Sequence, residues 1–331
     1  MTVLDGSQAA AIQAAAQTLA QGQLVAFPTE TVYGLGARAD DDAATDRIFA
    51  AKGRPRGHPL IVHVASLDDA QHFGDLSRPE AQRLVDRFWP GPLTLIVPRR
   101  EGVAAAAAGG QASIGLRMPS HPVALALLQA CAALGVRGVA GPSANRFGRV
   151  SPTQAGHVVQ EFGPDLVVLD GGACDVGIES TIVDLTRARP ALLRPGQLGR
   201  AAIEQALGQP LAGAGADAPR ASGTLESHYA PSARLRLMDA RPLRTALEVL
   251  AGGDKPGEMP KGLAVYSRSL RSVPAGILWK RMPDDAQAAA HELFAVLREL
   301  DALGARLVWV ETPPDDPAWD GVRDRLGRAA A

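Results

Sequence analysis

Short apolar runs that break off into glycine- or proline-rich polar loops recur along this chain, with helical stretches between them. Residues 23–27, 60–64, 93–97, 113–118, 136–140, 166–169 and 181–185 read as strands. Residues 7–21 read as a helix stopped by Gly22, and residues 42–52 as one stopped by Gly53. A helix over 77–88 opens with Ser77 reaching toward Glu80 as a capping box and closes before Pro90. Residues 121–134 and 153–162 complete the helices of this part. Strands and helices mixed in this way predict an α/β sheet in two or three layers.

The texture changes at residues 209–232, which are rich in Ala, Gly, Pro and Ser without periodicity and read as a linker. After it, strands at 234–238, 262–266 and 307–311 alternate with helices at 242–251, 284–303 and 316–329. That repeat predicts a small parallel sheet of Rossmann-like type. It lacks G-x-G-x-x-G, so the fold by itself implies no dinucleotide. The expected organisation is a first domain over 1–208, a linker or lid over 209–233, and a second domain over 234–331.

Lys and Arg number 34 against 35 Asp and Glu, a net charge of -1. A bulk nucleic-acid or membrane-surface binder needs a large excess of positive charge, so both classes are disfavoured. Cys131 and Cys174 are too few for a disulfide framework and lack the spacing of a zinc site. The first residues lack a basic segment followed by a strongly apolar one, and no apolar run approaches a membrane span. The expectation is a cytoplasmic, reduced protein without a metal centre.

The chemistry concentrates in loops that follow strands, where ligands of open α/β sheets sit. Phe27-Pro-Thr-Glu-Thr-Val-Tyr-Gly-Leu-Gly36 presents Thr29, Glu30, Thr31 and Tyr33, or is an ordinary glycine turn. Lys52-Gly-Arg-Pro-Arg-Gly-His-Pro59 holds Lys52, one of only four lysines in the chain. A compact ammonium suits a phosphate at close quarters; the alternative is a cation closing the preceding helix, a task that Arg54 or Arg56 could serve equally well. Gly141-Pro-Ser-Ala-Asn145 offers the Ser143 hydroxyl and the Asn145 amide, with Arg146 and Arg149 beyond them. Gly177-Ile-Glu-Ser-Thr181 and Leu193-Arg-Pro-Gly196 complete the set, Arg194 being a candidate anion clamp or a local turn contact. Arg117 ends a strand toward the same face. His63 lies inside an apolar strand, where a lone histidine is more often packed than ligating.

Taken together, FPTETVYGLG, KGRP, HPLIVHV, WPGPLT, GLRMPSHP, GPSAN, SPT, GIESTIVD and LRPG occur in the order of the YrdC-like family, over roughly residues 10 to 210. The HYAP segment at His228–Pro231, followed by a small α/β domain, resembles the linker and C-terminal domain of that family's long form. The resemblance implies a YrdC-like twisted open-sheet domain plus a small Rossmann-like C-terminal domain. It also implies a nucleotidyltransferase: L-threonine, bicarbonate and ATP give threonylcarbamoyl-AMP and pyrophosphate, for the threonylcarbamoyladenosine modification of tRNA. ATP, with Mg2+, is then a substrate, and no tightly bound cofactor is implied. Partners so implied are tRNA and the threonylcarbamoyl-transfer machinery, without a membrane.

Residue by residue, the family pattern assigns Lys52, Arg54, Ser143 and Asn145 to the triphosphate as the catalytic set. It assigns His58, Ser113, Ser151, Arg194, His228 and Tyr229 to further ATP contacts. Threonine falls to Thr31, His63, Arg117, the Gly141 backbone and Ser180. Two positions depart from the pattern: His58 stands where many relatives have Asn, and Gly141 where several have Thr or Ser. The competing reading is a non-catalytic structured-RNA-binding or ribosome-maturation module. A carbamoyl-transfer role belongs to relatives carrying acylphosphatase and zinc-finger segments, which this chain lacks. The aromatic, imidazole and proline of the HYAP segment suit a lid over the nucleotide, or simple packing on the second domain's first strand.

Overall fold

Alternating side chains along the central strands divide the core into two faces. In a computed structural model describing residues 3–215, 217–225, 227–251 and 261–331, the chain forms two compact units. One comprises Met1–Phe147 with Ser151–Thr224, the other Gly148–Val150 with Leu225–Ala331. The first holds an 11-stranded mixed sheet. Its order is Val3–Asp5, Val167–Asp170, Val25–Phe27, Gly34–Arg38, Val139–Ala140, Ile61–His63, Ser113–Arg117, Leu93–Pro98, Thr181–Asp184, Ala191–Arg194 and Ala212–Gly213.

Val25, Phe27, Val139 and Leu169 face helices Ala9–Ala20 and Pro122–Ala133. Their neighbours Ala26, Val168 and Ala140 face the opposite side, with Val62, Leu95 and Leu116, against Ile48, Phe49, Phe73 and Leu84. Period-two alternation on strands covered from both sides gives three layers. Each large side chain so buried contributes about 1.5–3 kcal/mol. Further along the first face, Ile61, Ile96, Ile182 and Leu193 gather with Ala221, a residue of the expected linker.

That linker is therefore divided. Ala212 and Gly213 pair in parallel with Ala191 and Leu192, and the first unit runs on to Thr224. Small side chains let this segment lie flat on the sheet, which composition alone reads as flexibility. Ala216 and Glu226 of the expected linker lie outside the described residues.

Other differences are local. Gly34–Arg38 is a strand where a loop was expected, its glycines lying 3.0 Å, measured at the Cβ each lacks, from the Phe27 ring. Leu67–Phe73 is an additional helix, capped by Ser66 Oγ accepting from Asp69 N at 3.1 Å. The expected capping box is absent: helix Pro79–Phe88 starts after Arg78 with no side-chain cap. Pro79 supplies the preset φ at its first position, and Ser77 N donates to Asp75 Oδ1 instead. No described helix is long and apolar enough to cross a membrane.

The second unit carries four parallel strands in the order Arg234–Met238, Leu307–Glu311, Leu263–Ser267 and Leu278–Arg281. The last escapes sequence reading because Leu-Trp-Lys-Arg is a half-exposed edge without an apolar run. At the carboxyl edge, Glu311 is 1% exposed and accepts from Arg268 N at 3.0 Å, Ser269 N at 2.8 Å and Ser269 Oγ at 2.9 Å. An ion pair with Arg268 at 3.3 Å completes its surroundings. Glu311→Ala is expected to destabilise this unit by about 2–4 kcal/mol, since two backbone donors and a guanidinium lose their shared acceptor. Calorimetric unfolding checks this; an unchanged transition would mean that the carboxylate holds nothing that water cannot.

Candidate active site

Strand alternation puts several candidate residues on one face of the first unit's sheet. His63 pairs in register with Arg117, and the His63 ring meets Phe27 edge-on at 5.6 Å. Arg117 is 3% exposed. Its Nη2 lies 2.7 Å from Glu30 Oε1, and its Nη1 donates to Thr31 Oγ1 at 2.8 Å. Thr29 Oγ1 donates to Val32 O at 2.6 Å, so the 2.9 Å contact between the two threonine hydroxyls takes its proton from Thr31. Thr31 thus aims Arg117.

His63 is kept neutral. Burial, and then the adjacent Arg117 charge, push its pKa down to about 3. Gly141 is needed beside it: a Cβ there would lie 3.0 Å from the Phe27 ring and 3.1 Å from His63 Nδ1. Gly141 N donates to Ile61 O at 2.9 Å, so the Gly141–Asn145 loop leaves the sheet directly beside the His63 strand.

Lys52 ends helix Asp42–Lys52, where Gly53 takes the left-handed conformation at φ 64°. Its ammonium donates to Ser143 O at 2.6 Å and to Asn145 O. Burial foremost, and then Arg54, hold its pKa well below the usual lysine value. Lys52 therefore shapes the Ser143–Asn145 loop, a task beyond closing its own helix. Arg54 donates to Pro59 O at 3.0 Å and lies over the Phe147 ring at 5.8 Å. His58 meets the same ring edge-on at 5.6 Å. Asn145 Nδ2 donates to Arg146 O at 2.7 Å.

A third group surrounds Ser180, which is fully buried. Arg194 donates to Ser180 O through Nε and Nη2, to Ser180 Oγ at 3.1 Å, and to Ser222 O at 2.9 Å. Arg194 thus ties the end of the expected linker to a candidate threonine residue. Ser151 Oγ donates to Glu179 Oε1 at 2.5 Å. Ser113 is buried and lines a small cavity with Gln111, Arg220 and Ser222.

His228 and Tyr229 belong to the second unit. There the Tyr229 ring stacks on Phe294 at 5.5 Å and lies 5.3 Å from the Arg325 guanidinium. Its packing within that unit is thus on two helices, whereas packing on the first strand was the alternative to a lid. Sequence reasoning missed Thr94, Glu179 and the pairing of Glu30 with Arg117. The one carboxylate of the loop at residues 177–181 was the available signal for Glu179.

Residues 17–196 match the family described as telomere recombination, that of the Sua5, YciO and YrdC proteins. Residues 198–331 match the threonylcarbamoyl-AMP synthase C-terminal domain. The threonylcarbamoyl-AMP synthase of Pyrococcus abyssi is 39% identical, covering 96% of this chain and 94% of its own. That of Bacillus subtilis is 34% identical, covering 96% and 92%. The crystal structure of Sua5 from P. abyssi complexed with L-threonine superposes with a TM-score of 0.86 at 37% identity, over 98% of this chain and 95% of that one.

The neutral histidine has a measurable signature. Unfolded His63 titrates near 6.5 and the folded residue near 3, so the unfolded chain binds the extra proton between those values. Its contribution to stability is present above 6.5 and is lost as pH falls toward 3, by up to about 1.4 kcal/mol per pH unit. His63→Gln is expected to lose stability less steeply than the wild type between pH 6 and pH 4 (roughly the span of that shift), as urea unfolding reads it. Parallel curves would contradict the buried, neutral imidazole.

Proposed function

The chain belongs to the Sua5–YciO–YrdC family and, along its whole length, to the two-domain threonylcarbamoyl-AMP synthases, and we propose that it joins the carbamate of L-threonine to the AMP moiety of ATP. Bicarbonate carboxylates the threonine amine, with loss of water. A carbamate oxygen then attacks the α-phosphorus, and pyrophosphate leaves. The observation that carries the residue assignment is the pairing of a neutral His63 with the ion-paired Arg117 on one sheet face. A neutral imidazole offers a lone pair to a donor of the amino acid, while Arg117 answers its carboxylate.

Lys52, Arg54, Ser143 and Asn145 take the triphosphate in this reading, with His58, Ser113 and Ser151 along the nucleotide. Arg194 acts through Ser180 and Ser222. His228 and Tyr229 are assigned to the nucleotide as further contacts. The protein's contribution is positioning and charge, as in other phosphoryl transfers. Among the described residues no group of three or more His, Cys, Asp or Glu could hold a metal. In this reading magnesium enters with ATP as part of the substrate. The product serves threonylcarbamoyl transfer to tRNA in the cytoplasm; with a net charge of -1, the chain is suited to handing on a small molecule rather than gripping RNA.

Pyrophosphate release is expected only with threonine, bicarbonate and ATP together. Serine lacks one methyl and should lose about tenfold to two-hundredfold in kcat/KM. Equal turnover of alanine would sink this reading, because nothing would then sense the hydroxyl. Lys52→Ala should slow adenylate formation by about 100- to 1,000-fold, the usual cost of one preorganised charge. Lys52→Arg should recover only part, because a planar fork does not fit a slot between two carbonyls. Full activity of the arginine variant in a single-turnover assay would return Lys52 to a helix-end cation.

A further inference from the structure

We infer that Thr94 is a positioning residue for the amino-acid site, donating its hydroxyl proton to Ser180 Oγ and so leaving the Ser180 proton for a substrate carboxylate oxygen. This rests on the reading of Ser180 as a threonine contact.

Thr94 lies in strand Leu93–Pro98 and is fully buried. Leu93 and Leu95 on either side join the core cluster of the opposite face, while Ile96 belongs to the cluster on the face of Ile61. Thr94 therefore projects to the face that carries His63 and Arg117. Its Oγ1 lies 2.8 Å from Ser180 Oγ. Among the described residues that is its one hydrogen-bond partner.

Counting protons gives the direction of this bond once Ser180 is read as the threonine contact. Arg194 can only donate, so its Nη2 contact at 3.1 Å occupies one lone pair of Ser180 Oγ. Both hydroxyls are fully buried and share one hydrogen bond, so one proton is left over whichever donates. With Ser180 read as the threonine contact, the arrangement in which Thr94 donates fills both lone pairs of Ser180 and leaves the Ser180 proton for an acceptor on the bound amino acid. Ser180 can then only donate, which selects an acceptor such as carboxylate over an ammonium group. The geometry has little slack. A Cβ on Gly196 would come within 2.5 Å of Thr181 N and 2.7 Å of Glu179 O, so the Arg194 loop packs directly on the backbone flanking Ser180.

Thr94→Val removes the hydroxyl at nearly constant volume and frees the Ser180 proton to turn. Steady-state pyrophosphate release is expected to show a threonine KM raised about fivefold to tenfold, the scale of one hydrogen bond. The KM for ATP should stay unchanged and kcat should stay within about twofold. Thr94→Ser restores the wild-type KM, and KM does not depend on how much of a variant folds. In a Ser180→Ala background, Thr94→Val should have no further effect on the threonine KM. An unmoved threonine KM in Thr94→Val, or a full additional loss in the Ser180→Ala background, overturns the role of Thr94 alone. A wild-type protein that releases no pyrophosphate from threonine, bicarbonate and ATP overturns the reaction reading and this role with it.

Discussion

Burying a guanidinium with 4% of its side chain exposed is costly unless a partner answers the charge, and Glu30 does so at 2.7 Å, itself 6% exposed. Removing one member of such a pair strands a buried charge, at a cost of about 3–5 kcal/mol. The pair also joins distant parts of the chain. Glu30 and Thr31 come from the loop after Val25–Phe27, Arg117 from the end of Ser113–Arg117, and Val176 N donates to Glu30 O at 2.8 Å. The loop that carries Thr31 is thereby pinned to the strand end that carries Arg117. Burial, with the same charge beside it, keeps His63 from protonating. One ion pair and one neutral imidazole make that face.

The central strands were legible because apolar alternation and loop punctuation are local signals. Ile61–His63, Leu93–Pro98, Ser113–Arg117 and Thr181–Asp184 fall where the short apolar runs placed them. Gly34–Arg38 was hidden because its glycines, weak strand formers, are there to admit the Phe27 ring. Residues 212–213 were hidden for a related reason: small side chains serve a flexible tether and a flat edge strand alike.

The site shows the same division between local and distant signals. Lysine scarcity singled out Lys52, but its acceptors lie 91 and 93 residues away, on the backbone of the very loop it was grouped with. Arg194 was legible as a candidate anion clamp, yet no periodicity discloses that it grips Ser180 and Ser222. Thr94 was silent. A threonine in an apolar strand is ordinary until its partner across the sheet is known to be a site residue. Glu311 in the second unit is similar, a strand-end carboxylate whose four contacts come from the chain just after another strand.

The account stands or falls on whether threonine, bicarbonate and ATP meet as one covalent product. Incubating the protein with 13C-bicarbonate, L-threonine and ATP, and weighing the nucleotide products by mass spectrometry, asks this directly. The account predicts an AMP adduct carrying the threonyl group and a single 13C in its carbamoyl carbon. ATP cleaved to AMP and pyrophosphate with no 13C bound to nucleotide would contradict it.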